Sequence, residues 1–440
     1  MYTKFTVKIM IFPKTKNSNS LTSFKTSLFG IIICIFVQVT GQEVQELSTP
    51  NYIKTVEFQG DSNQYPGTPI LPLGEPLSMT FDDIDGDEAD YYYKISYYNF
   101  DWTPTQLPKN EFMDGFDDVR ITNYENSFNA LKIYSHYRLT IPNSDTRALK
   151  KSGNYILEIY NDQQEFVFSR KFIVYEAIAT IALSIKRSRN LKFLNHKQSI
   201  NFTMTTPTDF QIRNPRTLLK TMVIQNNNIK EAITDLVPQY TLGNTYTYRY
   251  DEESSFWGGN EFLNFDSKDL RGANINIARI ELQDIYHHYL FTNQERNGRP
   301  YTYYPDINGH FSIRQLDAVN SDIEAEYIWM HFSLQSFEAI GDGDIHIYGN
   351  FNNYNIDEST KMTYNKKTKR YELTSLFKQG FYNYKYVVAH PDGTIDQGLI
   401  GGNFDETENE YTVLAYYRAP GQRYDRVIGI GTGNASTIRN

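Results

Sequence analysis

One cysteine, Cys34, occurs in 440 residues, so no disulfide can form within the chain. Basic residues are also in deficit, with 43 Lys and Arg against 52 Asp and Glu, a formal charge of −9. The first 41 residues hold five lysines and no acid, leaving 38 basic and 52 acidic residues beyond them, a balance of −14. A surface built to neutralise nucleic-acid phosphates is therefore excluded. Gly and Pro, at 26 and 16, are too few for a fibrous or low-complexity chain. Beyond residue 41 no run approaches 18 consecutive apolar residues, so no membrane-spanning helix is expected there and the chain should be soluble. Catalytic signatures are missing too: no Gly-Xaa-Ser-Xaa-Gly elbow, no His-Glu-Xaa-Xaa-His, and no cysteine nucleophile after Cys34. No enzyme and no cofactor are expected.

Aromatic residues are abundant instead, 35 Tyr and 28 Phe. They recur with period two. Tyr91, Tyr93, Ile95 and Tyr97 share one face of a strand, as do Tyr137, Leu139 and Ile141, and Tyr155, Leu157 and Ile159. Long 3.6-period segments are lacking, and residues 214–220 and 317–324 amount to short helical turns. The pattern predicts an all-β protein made of tandem immunoglobulin-like antiparallel β-sandwich modules. The ten-residue apolar run from Leu28 to Val37 follows a lysine-bearing stretch and precedes Val39 and Gly41. It is too short to span a bilayer and fits a secretory signal peptide over residues 1–41, cleaved after Gly41. The expected division is then residues 42–175, a second β domain with linker over 176–316, a last module over 317–425, and a tail over 426–440.

The last module resembles the early-set immunoglobulin-like modules that include glycogen-binding domains. It carries Gly349, Phe351 and Asn352 at a turn, then Met362, then Gly380, Tyr382, Tyr384 and Lys385 on a strand. That resemblance implies a glycan-binding alternative, but Tyr354 stands where such binders offer a tryptophan, and no tryptophan follows Met330. A longer series covers residues 56–429. Asp90, Tyr93, Asn99, Trp102, Gly115, Ser127, Tyr134, His136, Tyr137, Gly153 and Tyr155 come first. Gln225, Asn226, Phe256, Gly258, Gly259, Phe262, Asp306, Asn308, Gly309, Lys378, Gly380, Tyr382 and Tyr384 follow in order. The ordered series resembles the type IX secretion system plug protein family, with Trp257 larger than expected at its position. The resemblance implies a periplasmic, non-enzymatic protein that binds the periplasmic mouth of the outer-membrane translocon barrel and closes it.

Contact with such a partner would fall on exposed aromatics, and Trp102, Phe256, Trp257 and Trp329 are the candidates. Competing sites are weaker. Asp82, Asp83, Asp85, Asp87, Glu88 and Asp90 could offer hard oxygens to calcium, but Phe81 occupies the first ligand position of the loop pattern, so a solvated acidic turn is the simpler reading. His287 and His288 are adjacent, and on a strand they face opposite ways, so no metal site is expected. Gly429, Gly431 and Gly433 suggest a phosphate loop by composition alone; with no room for a following helix they read as flexible tail.

Overall fold

The computed structural model describes Glu46, residues 49–272 and residues 274–437. The expected signal peptide, its cleavage site and Cys34 lie outside the described residues. The all-β expectation holds: the helices are single turns, among them Pro215–Leu218 and Ser321–Glu324 where short helical turns were expected.

The aromatic alternation of the first segment builds two facing sheets. One orders the strands Ile53–Gly60, Leu77–Asp83, Ser135–Ile141 and Tyr124–Asn126. The other orders Ile70–Pro72, Phe166–Tyr175, Gly153–Asn161, Tyr91–Tyr98 and Val119–Arg120. Tyr91, Tyr93, Ile95 and Tyr97 all face inward, beside Tyr155 and Phe168 of the same sheet and with Phe81 and Tyr137 opposite. Phe81 stacks on Tyr137 at 5.1 Å and meets Tyr91 and Phe168 edge-on, geometries that add to the area these rings bury.

A nine-stranded sheet follows, with strands from both of its ends feeding one core, so it curls over itself. Its outer face packs on the first sandwich through Phe100 and Ile156 against Met222, Leu414 and Tyr416. Two of its strands, Glu410–Tyr417 and Arg426–Asn434, come from the far end of the chain. This corrects the expected boundaries. Glu410–Tyr417 pairs with Leu219–Gln225 in the middle of that sheet. Residues 426–434 are a strand rather than a tail, antiparallel to Glu410–Tyr417 and locally parallel to Ala179–Arg187. The glycines explain it: a Cβ on Gly429 would come within 2.7 Å of the Ala179 carbonyl oxygen, and one on Gly431 within 2.5 Å of that of Ile181. Glycine at period two lets the neighbouring backbone approach.

The third body is inserted between Ser255–Trp257 and Glu410–Tyr417. A six-stranded sheet including Tyr327–Gln335 and Arg370–Lys378 faces a five-stranded one centred on Gly380–Ala389. Strands before residue 317, such as Leu263–Asp266 and Tyr286–Leu290, belong to these sheets, so the expected boundary at 316/317 falls inside the sandwich. The described residues form one compact unit. Among the described residues no helix is long and apolar enough to cross a membrane.

Candidate binding surfaces

The four candidate aromatics separate by pleat and position. Trp102 sits in a turn with φ of +58° and is 6% exposed, buried where the first sandwich meets the nine-stranded sheet. Its contact surface is used inside the chain. Phe256 is 8% exposed and belongs to the core of the nine-stranded sheet, 5.6 Å from the Tyr411 ring. Both are therefore corrected from partner contacts to core. Trp257, one residue on, points the other way and is 48% exposed, with the Phe193 ring edge-on at 5.5 Å and Lys197 Nζ 4.7 Å from its own ring. Trp329 is partly buried, level with His287 and Leu376 across the sheet.

Around Trp329 the sheet face carries a stack that sequence spacing did not reveal. Arg279 lies 3.9 Å over Tyr289, Tyr289 stacks on His331 at 4.0 Å, and His331 Nε2 meets His287 Nδ1 at 2.9 Å. His288 points inward, and burial pushes it down to about 4, so it is neutral at physiological pH. The acidic run before Tyr91 also divides. Asp82 is buried against Lys378, His136 and Tyr327, and Asp83 accepts from Tyr91 at 2.6 Å, so neither carboxylate faces a calcium ion. Tyr354, which stands where glycan binders offer a tryptophan, is 5% exposed and donates its hydroxyl to the Asn226 carbonyl at 3.0 Å.

Where the inserted sandwich joins the nine-stranded sheet, a cleft of about 860 Å³ opens, lined by Trp257, Lys197, Glu231, Arg299, Lys385 and Gln397 among others. The chain crosses here twice, outward through residues 258–262 and back through 402–409. Gln198 knots the crossing. Its Nε2 donates to the carbonyls of Asp405 and Thr407 at 2.7 and 2.8 Å, while its Oε1 accepts from Asn409 and Tyr411.

Beneath the cleft lies a group of buried charges that the sequence did not bring together. Asp306 accepts from the amides of Phe262 and Asn308, and Glu261 accepts from the Tyr301 hydroxyl and the Glu408 amide. Burial, with the Glu261 charge adding to it, pushes Asp306 up to about 7. Burial pulls Lys385 down to about 8, against the attraction of Asp306, Glu231 and Glu261. One signal was available: Lys385 is the lone cation in a strand whose alternate tyrosines, 382, 384 and 386, already fill one core. The raised Asp306 sets a pH dependence. The folded state keeps a proton that the unfolded chain releases near pH 4, so this contribution is complete below that pH and lost as pH rises to about 7. Glu57, pushed up to about 7 by burial, acts in the same direction. The melting temperature is expected to fall between pH 4.5 and 7, and Glu261→Gln to flatten that fall. An unchanged slope in the variant would show that the two acids do not interact.

Residues 53–176 match the family model described as the type 9 secretion system plug protein first domain. Over a longer span the fold matches the crystal structure of a hypothetical protein from Parabacteroides merdae, with a TM-score of 0.84 and 33% sequence identity. That match covers 88% of this chain and 98% of the other. No curated protein matches the sequence.

Proposed function

Because the chain belongs to the type 9 secretion system plug protein family, we propose that it is a periplasmic gating subunit. In this role it binds the periplasmic mouth of the outer-membrane translocon barrel and closes it between export events. It works without catalysis, its chemistry being recognition alone. The observation that carries the reading is the family match over the first sandwich.

Physical features support the reading. A gate has to resist deformation, and here three bodies share buried seams. Phe100 and Tyr416 meet at 4.8 Å between the first two, and the Tyr134 hydroxyl donates to the Ala325 carbonyl at 2.9 Å between the first and the inserted one. A gate also has to come off, which suits discrete aromatic contacts better than a large apolar face. Trp257 and Trp329 are the proposed contacts.

Affinity capture from solubilised outer membrane, with the chain beyond residue 41 as bait, is expected to recover a large barrel protein. Recovery of no barrel would sink the proposal. Trp257→Ala is expected to weaken capture by about 30-fold, as loss of a central interface aromatic does, with no change in melting temperature.

A further inference from the structure

The loop between Tyr124–Asn126 and Ser135–Ile141 has its backbone pinned and its apolar side chains turned to solvent. Phe128, Leu131 and Ile133 are 67%, 52% and 61% exposed. The Phe128 amide donates to the Ile323 carbonyl at 2.8 Å, and the Leu131 amide donates to both carboxylate oxygens of Glu326 at 2.8 and 2.9 Å. Glu326 is itself buried, so the inserted sandwich commits a desolvated acid to holding this loop. The Ser127 amide closes the loop on the Tyr134 carbonyl, and Asn129, with φ of +57°, turns its tip. Scattered exposed apolar residues are ordinary, but three within six positions of a pinned loop make a patch on the order of a few hundred Å², a size that on monomers is often functional.

We infer that this loop docks a protein partner whose surface offers an apolar depression bordered by Lys and Arg. The rim sets that chemistry. Three segments meet here: the loop 125–133, the stretch 317–326 that anchors it, and the turn 85–90. The turn lies against Ile133, so closely that a Cβ on Gly86 would come within 2.8 Å of its Cγ2. Together the segments carry nine acids and one cation, Lys132. Asp90 is paired with Arg120 and Asp322 with Arg138, and Glu326 is buried, so six carboxylates remain against one ammonium. Glu88 accepts from the Tyr124 hydroxyl and Asn126 Nδ2, neutral donors that leave its charge in place. Asp85, Asp87 and Glu125 are exposed. This border argues against a second copy as the occupant, because a two-fold contact would lay one acidic rim on another.

The pinned backbone supplies the rest. A loop already held in one conformation loses little entropy on binding, so the area buried by Phe128, Leu131 and Ile133 is offset by less ordering. Opposite charge around an apolar centre then fixes orientation and rejects acidic surfaces. The inference stands apart from the gating role, since it specifies the surface a partner must present and not which protein presents it.

Beyond Cys34 the sequence has no cysteine, so Phe128→Cys labelled with benzophenone maleimide places one photo-crosslinker on the chain beyond residue 41. The labelled protein is irradiated with solubilised envelope from the native cells, and the attached segment is read by mass spectrometry. One main adduct is expected, to a second protein, at a segment where apolar residues are flanked by Lys or Arg. Its yield should fall at least about threefold when salt rises from about 0.1 M to about 1 M, which shortens the screening length from about 10 Å to about 3 Å. Adding Leu131→Ser and Ile133→Ser should cut the yield about tenfold with no loss of melting temperature, because both side chains are exposed in the free chain. If that variant does not fold, Asp87→Asn with Glu125→Gln is the second, expected to lower both the yield and its salt dependence. The same label on Leu191→Cys, 87% exposed in a loop of the nine-stranded sheet, should not capture that segment. The inference is overturned if no adduct forms, if the adduct is to a second copy, or if the attached segment is acidic. Capture of the same segment from Leu191→Cys, or a yield indifferent to salt and to the variants, overturns it equally.

Discussion

Replacing Lys378 by methionine is expected to lower the free energy of unfolding by about 3–5 kcal/mol, the cost of stranding a buried charge. Lys378 ends the strand Arg370–Lys378 of the inserted sandwich, and Asp82 lies near the end of Leu77–Asp83 in the first. Their side chains are 1% and 0% exposed and meet at 2.6 Å. Three donors converge on the carboxylate: Lys378 Nζ and the Tyr327 hydroxyl on Oδ2, and His136 Nδ1 on Oδ1 at 2.7 Å. Burial alone would hinder ionisation of Asp82. The Lys378 charge and the His136 hydrogen bond outweigh it and hold the carboxyl below the usual range. Methionine keeps the apolar stem but removes the ammonium, leaving an ion in a dry site with two weaker donors. Adding Asp82→Asn removes that stranded ion, so the double variant is expected to recover about half of the loss. Urea unfolding of the two single variants and the double variant checks this. A Lys378→Met protein within about 1 kcal/mol of the native one would show that Asp82 is not held in a dry ionic site. The loss should also be directional: the pair joins the first sandwich to the inserted one, so protease should gain access between them.

The period-two alternation made most strands legible because it is a local property. Tyr91, Tyr93, Ile95 and Tyr97 face a core wherever the neighbouring strands come from. Sheet order is not local, and there the reading failed. Nothing between residues 410 and 434 announces that these strands pair with Leu219–Gln225 and Ala179–Arg187. The spacing of Gly429, Gly431 and Gly433 did carry a strand signal, but its composition resembled a loop. Aromatic identity was equally ambiguous: Trp102 and Trp257 are the same residue, and a turn buries one while the pleat exposes the other. Asp82 could be seen as a charge but not as a buried one, because Lys378 lies 296 positions away.

A second large effect is expected from Gly258→Ala, a loss of about 3 kcal/mol for one added methyl. Gly258 opens the outward crossing, directly after Ser255–Trp257. A Cβ there would stand 1.9 Å from the Phe404 carbonyl oxygen and 2.7 Å from its carbon. Both atoms are backbone, so no rotamer change relieves the clash and the two crossings must part. They cannot part freely. The Phe404 amide donates to the Gly259 carbonyl at 2.8 Å, and Asn409 Nδ2 donates to that of Gly258 at 2.9 Å. Separation would strain both bonds and the Gln198 knot behind them, at about 1–3 kcal/mol for each buried group left unpaired. Gly243→Ala is a contrasting case: its φ of +58° strains a side chain where Gly258 has no such backbone, but a Cβ meets nothing within 4 Å. It should show only the backbone cost of about 1–2 kcal/mol, with no change at the cleft. Trp257 adjoins Gly258, so its emission reports which has happened. A Gly258→Ala protein melting with the native chain would mean the crossing yields without cost. If the loss is as large as expected, the inserted sandwich is fixed to the nine-stranded sheet by two closely apposed strands of backbone. A protein whose proposed work is to hold a pore shut needs such a joint, because a hinge at that point would let the inserted sandwich swing away from the rest.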